Sequence, residues 1–261
     1  MQNRRNFLAT GAALGTITVL PFSARAAAHG GNTFATASGQ IVVHPVAHAS
    51  VVFETPAGVI HVDPVGDPAQ YADLPAPDLV LVTHQHGDHY NADTLTALAG
   101  DAPIVVNPAV MDMLPEGLAG RATALANGDS TEMLGVAIDA IPAYNMTEGR
   151  LNFHPQGRDN GYVLTIDGTR VYVSGDTEDI PEMRALSGID VAFVSMNLPF
   201  TMDAEAAADA VAEFAPAYVY PYHYRGRDGG TQDPAHFAEL VAAAGADTEV
   251  KLHDWYNGEL G

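Results

Sequence analysis

The densest chemistry in the chain lies in six positions, where His84, His86, Asp88 and His89 stand almost side by side. Imidazoles crowded with a carboxylate are ligands for borderline divalent ions such as zinc, and they also admit manganese or iron. His84 and His86 flank Gln85, so in extended chain both side chains point the same way. Asp88 and His89 lie beyond Gly87, where they can face a second ion. Further along stand single acids and imidazoles in turn-like settings: His154 before Pro155, Asp176 between Gly175 and Thr177, and His223 between Tyr222 and Tyr224. The chain contains no cysteine, which removes thiolate ligands and thiol nucleophiles. A metal-activated water or a hydroxyl is left as the nucleophile.

These residues need elements to hold them. The apolar run at 79–82 reads as a buried strand ending at the first histidines, and Asn91 and Gly100 bracket the helix that follows. Strands are expected at 41–43 and 50–53, with a turn at 56–58. In the run 59–63, alternation puts Val59, His61 and Asp63 on one face before Pro64 ends the strand. Later strands are expected at 103–106, 135–141, 161–166, 170–174, 191–195, 217–220 and 248–253. Helices are expected at 110–114, at 203–214, and from Asp233, with Pro234 in the first turn and Phe237, Leu240 and Val241 on the buried face. For Asp176, capping a helix near Pro181 is the bland alternative to binding a metal. His44 and His61 read as structural, while His29, His236 and His253 have no partner pattern. The sequence shows no repeat. At 261 residues it can bury one large core.

The string His84-Gln85-His86-Gly87-Asp88-His89 matches H-x-H-x-D-H, and through it the chain, from about residue 40 onward, resembles the metallo-β-lactamase superfamily. The likeness looks strongest to the branch holding ascorbate-6-phosphate lactonase and the phospholipase D that hydrolyses N-acyl-phosphatidylethanolamine. The resemblance implies an α+β fold, a four-layer αββα sandwich. It implies two metal ions, with Asp176 of Gly175-Asp176-Thr177 bridging them and His223 on the second. Relatives carry a glycine-histidine element and an aspartate-proline pair beside the metals. Here these are Ala47-His48-Ala49-Ser50, with Ala47 in the usual glycine's place, and Asp63-Pro64. His48 and Asp63 are therefore expected to orient ligand imidazoles or to meet the substrate, and His48 is counted with Asp88 as a catalytic candidate. A further departure is Asn145, at the end of Pro142-Ala143-Tyr144-Asn145, where relatives often place a histidine for the first metal. Either His154 takes that place, or Asn145 binds weakly through its amide and His154 contacts substrate. Imidazole holds zinc better than a neutral amide, so His154 is preferred.

The expected assembly is His84, His86 and His154 on the first ion, Asp88, His89 and His223 on the second, and Asp176 between. Such a pair generates hydroxide near neutral pH for attack on an ester, lactone, amide or phosphoester. Arg225 and Arg227 stand out among the chain's 11 basic residues as groups for an anionic part of a small-molecule substrate. Asn145 is a further substrate-contact candidate. The competing class is an exported scaffold that binds metal or a ligand without turnover, which the Asn145 departure favours.

The N-terminus carries its own signal. Asn3-Arg4-Arg5-Asn6-Phe7-Leu8 resembles a twin-arginine export signal, and the mildly apolar stretch 11–22 is too short to span a bilayer. Residues 1–28 are expected to be removed, leaving one hydrolase domain at 29–261 in the periplasm or outside the cell. Without the signal there are 8 basic against 32 acidic residues. Such a surface repels nucleic acid and offers no basic helix for anionic lipid, so neither nucleic acid nor stable membrane insertion is expected. Lacking disulfides, the protein must draw its stability from its core and its metals.

Overall fold

Along the strand at 79–82, neighbouring side chains go separate ways. Leu79 and Leu81 join one buried core, while Val80 and Val82 join another. A pleated strand sends successive side chains to opposite faces, so a run apolar at every position must be covered on both sides. The computed structural model, which describes residues 32–256, shows what covers them. The expected export signal at 1–28, and His29 with it, lie outside the described residues.

The first sheet holds β1 (Asn32–Ala35), β2 (Gln40–Ala47), β3 (Ser50–Thr55), β4 (Gly58–Val62), β5 (Leu79–Leu81), β6 (Ile104–Val106) and β7 (Ala122–Ala124), in that spatial order. β1 to β4 pair antiparallel, and β4 to β7 pair parallel. The second sheet holds β8 (Ser130–Met133), β9 (Val136–Ala143), β10 (Asp159–Ile166), β11 (Thr169–Val173), β12 (Val191–Ser195), β13 (Tyr218–Tyr222) and β14 (Glu249–Val250). Its plan is the same: antiparallel from β8 to β11, then parallel to β14. The two halves thus repeat a topology that left no trace as a sequence repeat, because pairing pattern depends on apolar periodicity rather than on residue identity.

The sheets face each other. Phe53 of β3 meets Phe193 of β12 with ring centroids 5.4 Å apart. On the outer side of the first sheet, Val80, Val82, Ile104 and Val106 pack with Leu95 of α1 (Ala92–Leu98), Val110 of α2 (Pro108–Met111) and Leu118 of α3 (Glu116–Ala119). Behind the second sheet lie α4 (Pro181–Arg184), α5 (Ala204–Phe214) and α6 (Pro234–Ala243), with Phe214 of α5 edge-on to Tyr172 of β11 at 6.1 Å. Helices, sheet, sheet and helices make the expected four-layer αββα sandwich.

Several boundaries differ from expectation. The helix expected at 110–114 starts earlier as α2, because Asn107 caps it by accepting from the Val110 amide and Pro108 sits in its first turn. Asp176 caps nothing; α4 follows Ile180 instead. β13 runs on to Tyr222, two residues beyond the expected end, which delivers His223 directly to the strand's exit. The terminal strand at 248–253 shrinks to Glu249–Val250, and β1, β7, β8 and α3 were not expected from pattern at all. These are short elements whose identity comes from the neighbour they pair with.

Candidate metal centre

Every residue of the site leaves its element at one rim. β5 ends before Thr83, and His84 to His89 occupy the turn that leads to the Asn91-capped helix α1, where the Asn91 side chain accepts from the Thr94 amide. Asp63 follows β4, Asp176 follows β11, and His223 follows β13. His48 sits in the turn between β2 and β3. Three of these residues hold left-handed backbone: His48 at φ 53°, Asp63 at φ 47° and His223 at φ 49°. Non-glycine residues rarely adopt this conformation, and it gathers at sites where a side chain must be aimed. At Asp63 it also breaks the expected alternation. His61 stacks on Tyr71 and lies 3.1 Å from the Pro75 carbonyl, while Asp63 turns away to the histidines. Gly175 (φ 60°) lets the chain turn into Asp176, and a Cβ there would sit 2.7 Å from the Asn160 carbonyl oxygen.

Three groups of donors converge: His84, His86 and His154; His84, His89 and Asp176; and His48, Asp88 and His223. Within each group the ligating atoms lie within 4.8 Å of one another. His84 Nε2 is 3.1 Å from His86 Nδ1. Asp176 stands in the middle: its Oδ1 is 3.3 Å from His89 Nε2, and its Oδ2 is 3.4 Å from both His154 Nε2 and His223 Nε2. Asp88 Oδ2 is 3.5 Å from His223 Nε2 and 3.2 Å from His48 Nε2. Ligand atoms set tetrahedrally around zinc at its usual bond length stand about 3.3 Å apart, so these spacings are those of ligands around a common ion. His89 Nε2, His223 Nε2 and Asp176 Oδ1 are all buried without a hydrogen bond, a costly state unless a cation satisfies them. The donor set therefore fits divalent metal.

The far nitrogens of the imidazoles are held from behind. His89 Nδ1 is 2.7 Å from Asp63 Oδ2, and Asp63 also accepts from the amide and hydroxyl of Thr83 at 2.7 Å each. His154 Nδ1 is 3.0 Å from Asp159 Oδ2, and Asp159 is fixed in turn by Arg158. His223 Nδ1 is 2.9 Å from the Asn197 side-chain amide. Such outer partners set ring orientation and tautomer for metal-binding histidines. Asp159 and Asn197 escaped the sequence reading. Asp159 lies five residues after His154, a spacing with no periodic meaning, and Asn197 follows an apolar strand as any loop residue would.

Electrostatics agree with a gathered cluster. Burial pushes the Asp176 carboxyl up, but the imidazoles of His223 and His89 hold it well below the usual carboxylate range. Burial likewise opposes the charge on His89, yet Asp176 and Asp63 push its pKa well above the ordinary imidazole value. For His84 burial wins, reinforced by His89, and its pKa falls well below that value. His48, partly buried and next to His223, drops to about 4.

The remaining candidates fall differently. His154 joins His84 and His86, while Asn145 Oδ1 is buried without a hydrogen bond. The Asn145 amide nitrogen donates to the carbonyls of Arg150 and Phe200 at 3.0 and 2.7 Å, tying two loops together. A cavity of about 250 Å³ opens on the cluster, lined by His86, Asp88, Phe153, His154, Asp176, Asn197 and Phe200. Arg227 packs over Phe200 with its guanidinium 4.9 Å from the ring, and Arg225 packs over Tyr256 at 4.3 Å. Neither lines the cavity. His44 pairs with Glu54 at 2.8 Å and belongs to none of these donor groups.

Comparison with known proteins agrees with this geometry. Residues 43–223 match the model of the beta-lactamase superfamily domain. A UPF0173 metal-dependent hydrolase of Thermococcus onnurineus is 35% identical over 169 residues, covering 63% of this chain and 74% of that protein. The crystal structure of a candidate metal-dependent hydrolase from Parabacteroides distasonis superposes with a TM-score of 0.74 at 38% identity, covering 85% of this chain and 97% of the other. Igni18, a metallo hydrolase from Ignicoccus hospitalis, shares the fold at 23% identity and a TM-score of 0.69, covering 82% and 95%. With its motif at the rim of a matching sandwich, the chain belongs to the metallo-β-lactamase superfamily and, within it, to the UPF0173 family of metal-dependent hydrolases.

Proposed function

We propose that the protein is an exported dinuclear hydrolase in which His84, His86 and His154 hold one ion, Asp88, His89 and His223 hold the other, and Asp176 bridges them. The observation that carries this reading is Asp176, whose two oxygens lie 3.3–3.4 Å from imidazoles of both groups. Zinc suits the nitrogen-rich set best, and manganese or iron is compatible with its carboxylates. A bound pair of cations supplies Lewis acidity that activates water and stabilises an oxyanion.

The chain's own residues do the rest. Asp88, 45% exposed at the cavity, presents Oδ2 where a water's proton can be received. His48 Nε2 lies 3.2 Å from the same carboxylate oxygen. Phe153 and Phe200, edge to face at 5.2 Å, give the cavity an apolar wall. Its 250 Å³ suits a compact ester, lactone or phosphoester, the chemistry of the lactonase and phospholipase branch that the sequence resembles. Arg227 is 62% exposed beside that wall and is placed to meet an anionic group at the mouth.

The Arg4-Arg5 segment and the mildly apolar stretch 11–22 that follows it support twin-arginine export to the periplasm. Metal analysis of the purified protein, followed by turnover on a panel of esters, lactones and phosphodiesters, tests the reading. About two ions per chain and turnover that chelator abolishes and metal restores are expected. Stoichiometric metal with no turnover on any class would sink the hydrolase assignment to these substrates.

A further inference from the structure

The seven donors of the proposed centre leave one imidazole at the same rim unexplained. His48 Nε2 is 3.2 Å from Asp88 Oδ2, and the His48 ring lies against that of His223, centroids 3.8 Å apart and planes tilted by 49°. His48, Asp88 and His223 by themselves satisfy the distance requirement for a metal-binding group. The other side of the ring is fixed as firmly. His48 Nδ1 is 2.8 Å from the Tyr256 hydroxyl, which also accepts from the Arg225 amide at 3.2 Å, while the Arg225 guanidinium covers the Tyr256 ring. The backbone is anchored as well. The His48 amide donates to the Trp255 carbonyl, and the His223 amide donates to the His48 carbonyl, both at 3.3 Å. Trp255 Nε1 closes the clasp by donating to the Pro221 carbonyl at 3.0 Å.

We propose that His48 is a further protein ligand of the second ion, bound through Nε2 beside Asp88 and His223, and that Tyr256 is the positioning residue that selects its tautomer. The proposal rests on the dinuclear reading above. A hydroxyl oxygen already receiving one amide can receive the His48 Nδ1 proton too, which leaves the Nε2 lone pair facing the rim. The 3.2 Å approach to Asp88 is then ligand–ligand spacing around the ion rather than a hydrogen bond. The left-handed backbone at His48 is explained by the same demand, since it aims a turn residue into the site. The matched superfamily domain ends at residue 223, so Trp255 and Tyr256 lie beyond it. The C-terminal segment of this chain thereby acts on the second metal through His48.

The test measures metal, not only turnover. Stepwise titration of the full chain with Zn²⁺ and with Co²⁺ gives the affinity of each ion and the visible spectrum of the second. His48→Asn is the first variant, because asparagine tolerates a left-handed backbone but is too short to reach the ion. It is expected to weaken the second ion by more than 100-fold, to change its Co²⁺ spectrum, and to leave the first ion's affinity within about threefold. Tyr256→Phe keeps the ring and the Arg225 contact; it is expected to weaken the second ion by about 10–100-fold, the range for losing an outer partner. Melting of the chelated proteins separates misfolding from ligand loss, and rescue of second-site occupancy at high Zn²⁺ in Tyr256→Phe marks a positioning role. A second ion of unchanged affinity and spectrum in His48→Asn overturns the proposal while leaving two metals intact. A wild-type chain that binds fewer than two ions refutes the dinuclear reading itself, and the proposal with it.

Discussion

The two halves of the molecule have one topology and supply the site in opposite ways. The first sheet delivers most of its donors in a single turn, His84 to His89 after β5, with Asp63 behind them. The second delivers them one at a time, from the segment before β10, from the end of β11 and from the end of β13. Chemically they are equal partners, since Asp176 of the second half touches imidazoles from both. The difference teaches that a compact motif marks where a centre begins, not how far through the fold it extends. A lone histidine at a strand end, such as His223, stands in a donor group just as those in a recognisable string do, with its far nitrogen held by Asn197.

The sharpest way to break this comparison is to remove one donor from each half. Asp176→Ala and His84→Ala are both expected to lower turnover by well over the roughly 100-fold typical of outer-partner loss, and to reduce bound metal. A residual activity in Asp176→Ala near that of wild type would show that the second half is accessory. Next come the carboxylates behind the ligands. Asp63→Asn in the first half and Asp159→Asn in the second are each expected to cost about 10–100-fold in metal affinity, measured by competition with a chelator. A large effect from one and none from the other would mean that only one half holds its imidazoles by outer contacts.

A smaller effect concerns acid. His61 lies in the first half, buried against Tyr71, and burial lowers its pKa from 6.5 to about 4. Below pH 6.5 the unfolded chain takes up a proton that the folded one refuses, so stability falls as pH drops from 6.5 to 4 and this contribution then levels off. At pH 5.5 the loss from this residue is about 1.4 kcal/mol. Urea unfolding from pH 7 to pH 5 is expected to show a shallower decline in His61→Phe than in wild type; parallel slopes would remove His61 from the account. The smallest effect is expected at Asn145. Asn145→Ala loosens the loop tie to Arg150 and Phe200 and is expected to change metal affinity by less than about threefold, against the large loss in His154→Ala. Equal losses would restore Asn145 as a ligand.

Particular residues show how far the sequence could be read. The strand at 79–82 and the Asn91 cap were legible because apolar periodicity and capping are local properties. The departure at Asn145 was visible as well, and it favoured a protein without turnover. That reading does not hold: the chain belongs to a family of hydrolases, and His154, nine residues on, stands with His84 and His86. What could not be read were Asp159, Asn197 and Tyr256, each hydrogen-bonded to a site histidine from a different segment. Arg225 and Arg227 were singled out for their rarity, but the structure seats both on aromatic rings.

By itself the sequence determined the turn of histidines after the buried strand at 79–82 and the exclusion of thiol chemistry, since each follows from composition or from residues close together in the chain, while the four layers came through the family resemblance that the turn carries. Only the tertiary structure decided which of the scattered imidazoles converge. A contact such as His48 to Tyr256 joins positions 208 residues apart. It exists because two twisted sheets bring their strand ends to one rim, where burial makes every unpaired nitrogen costly until a partner is found.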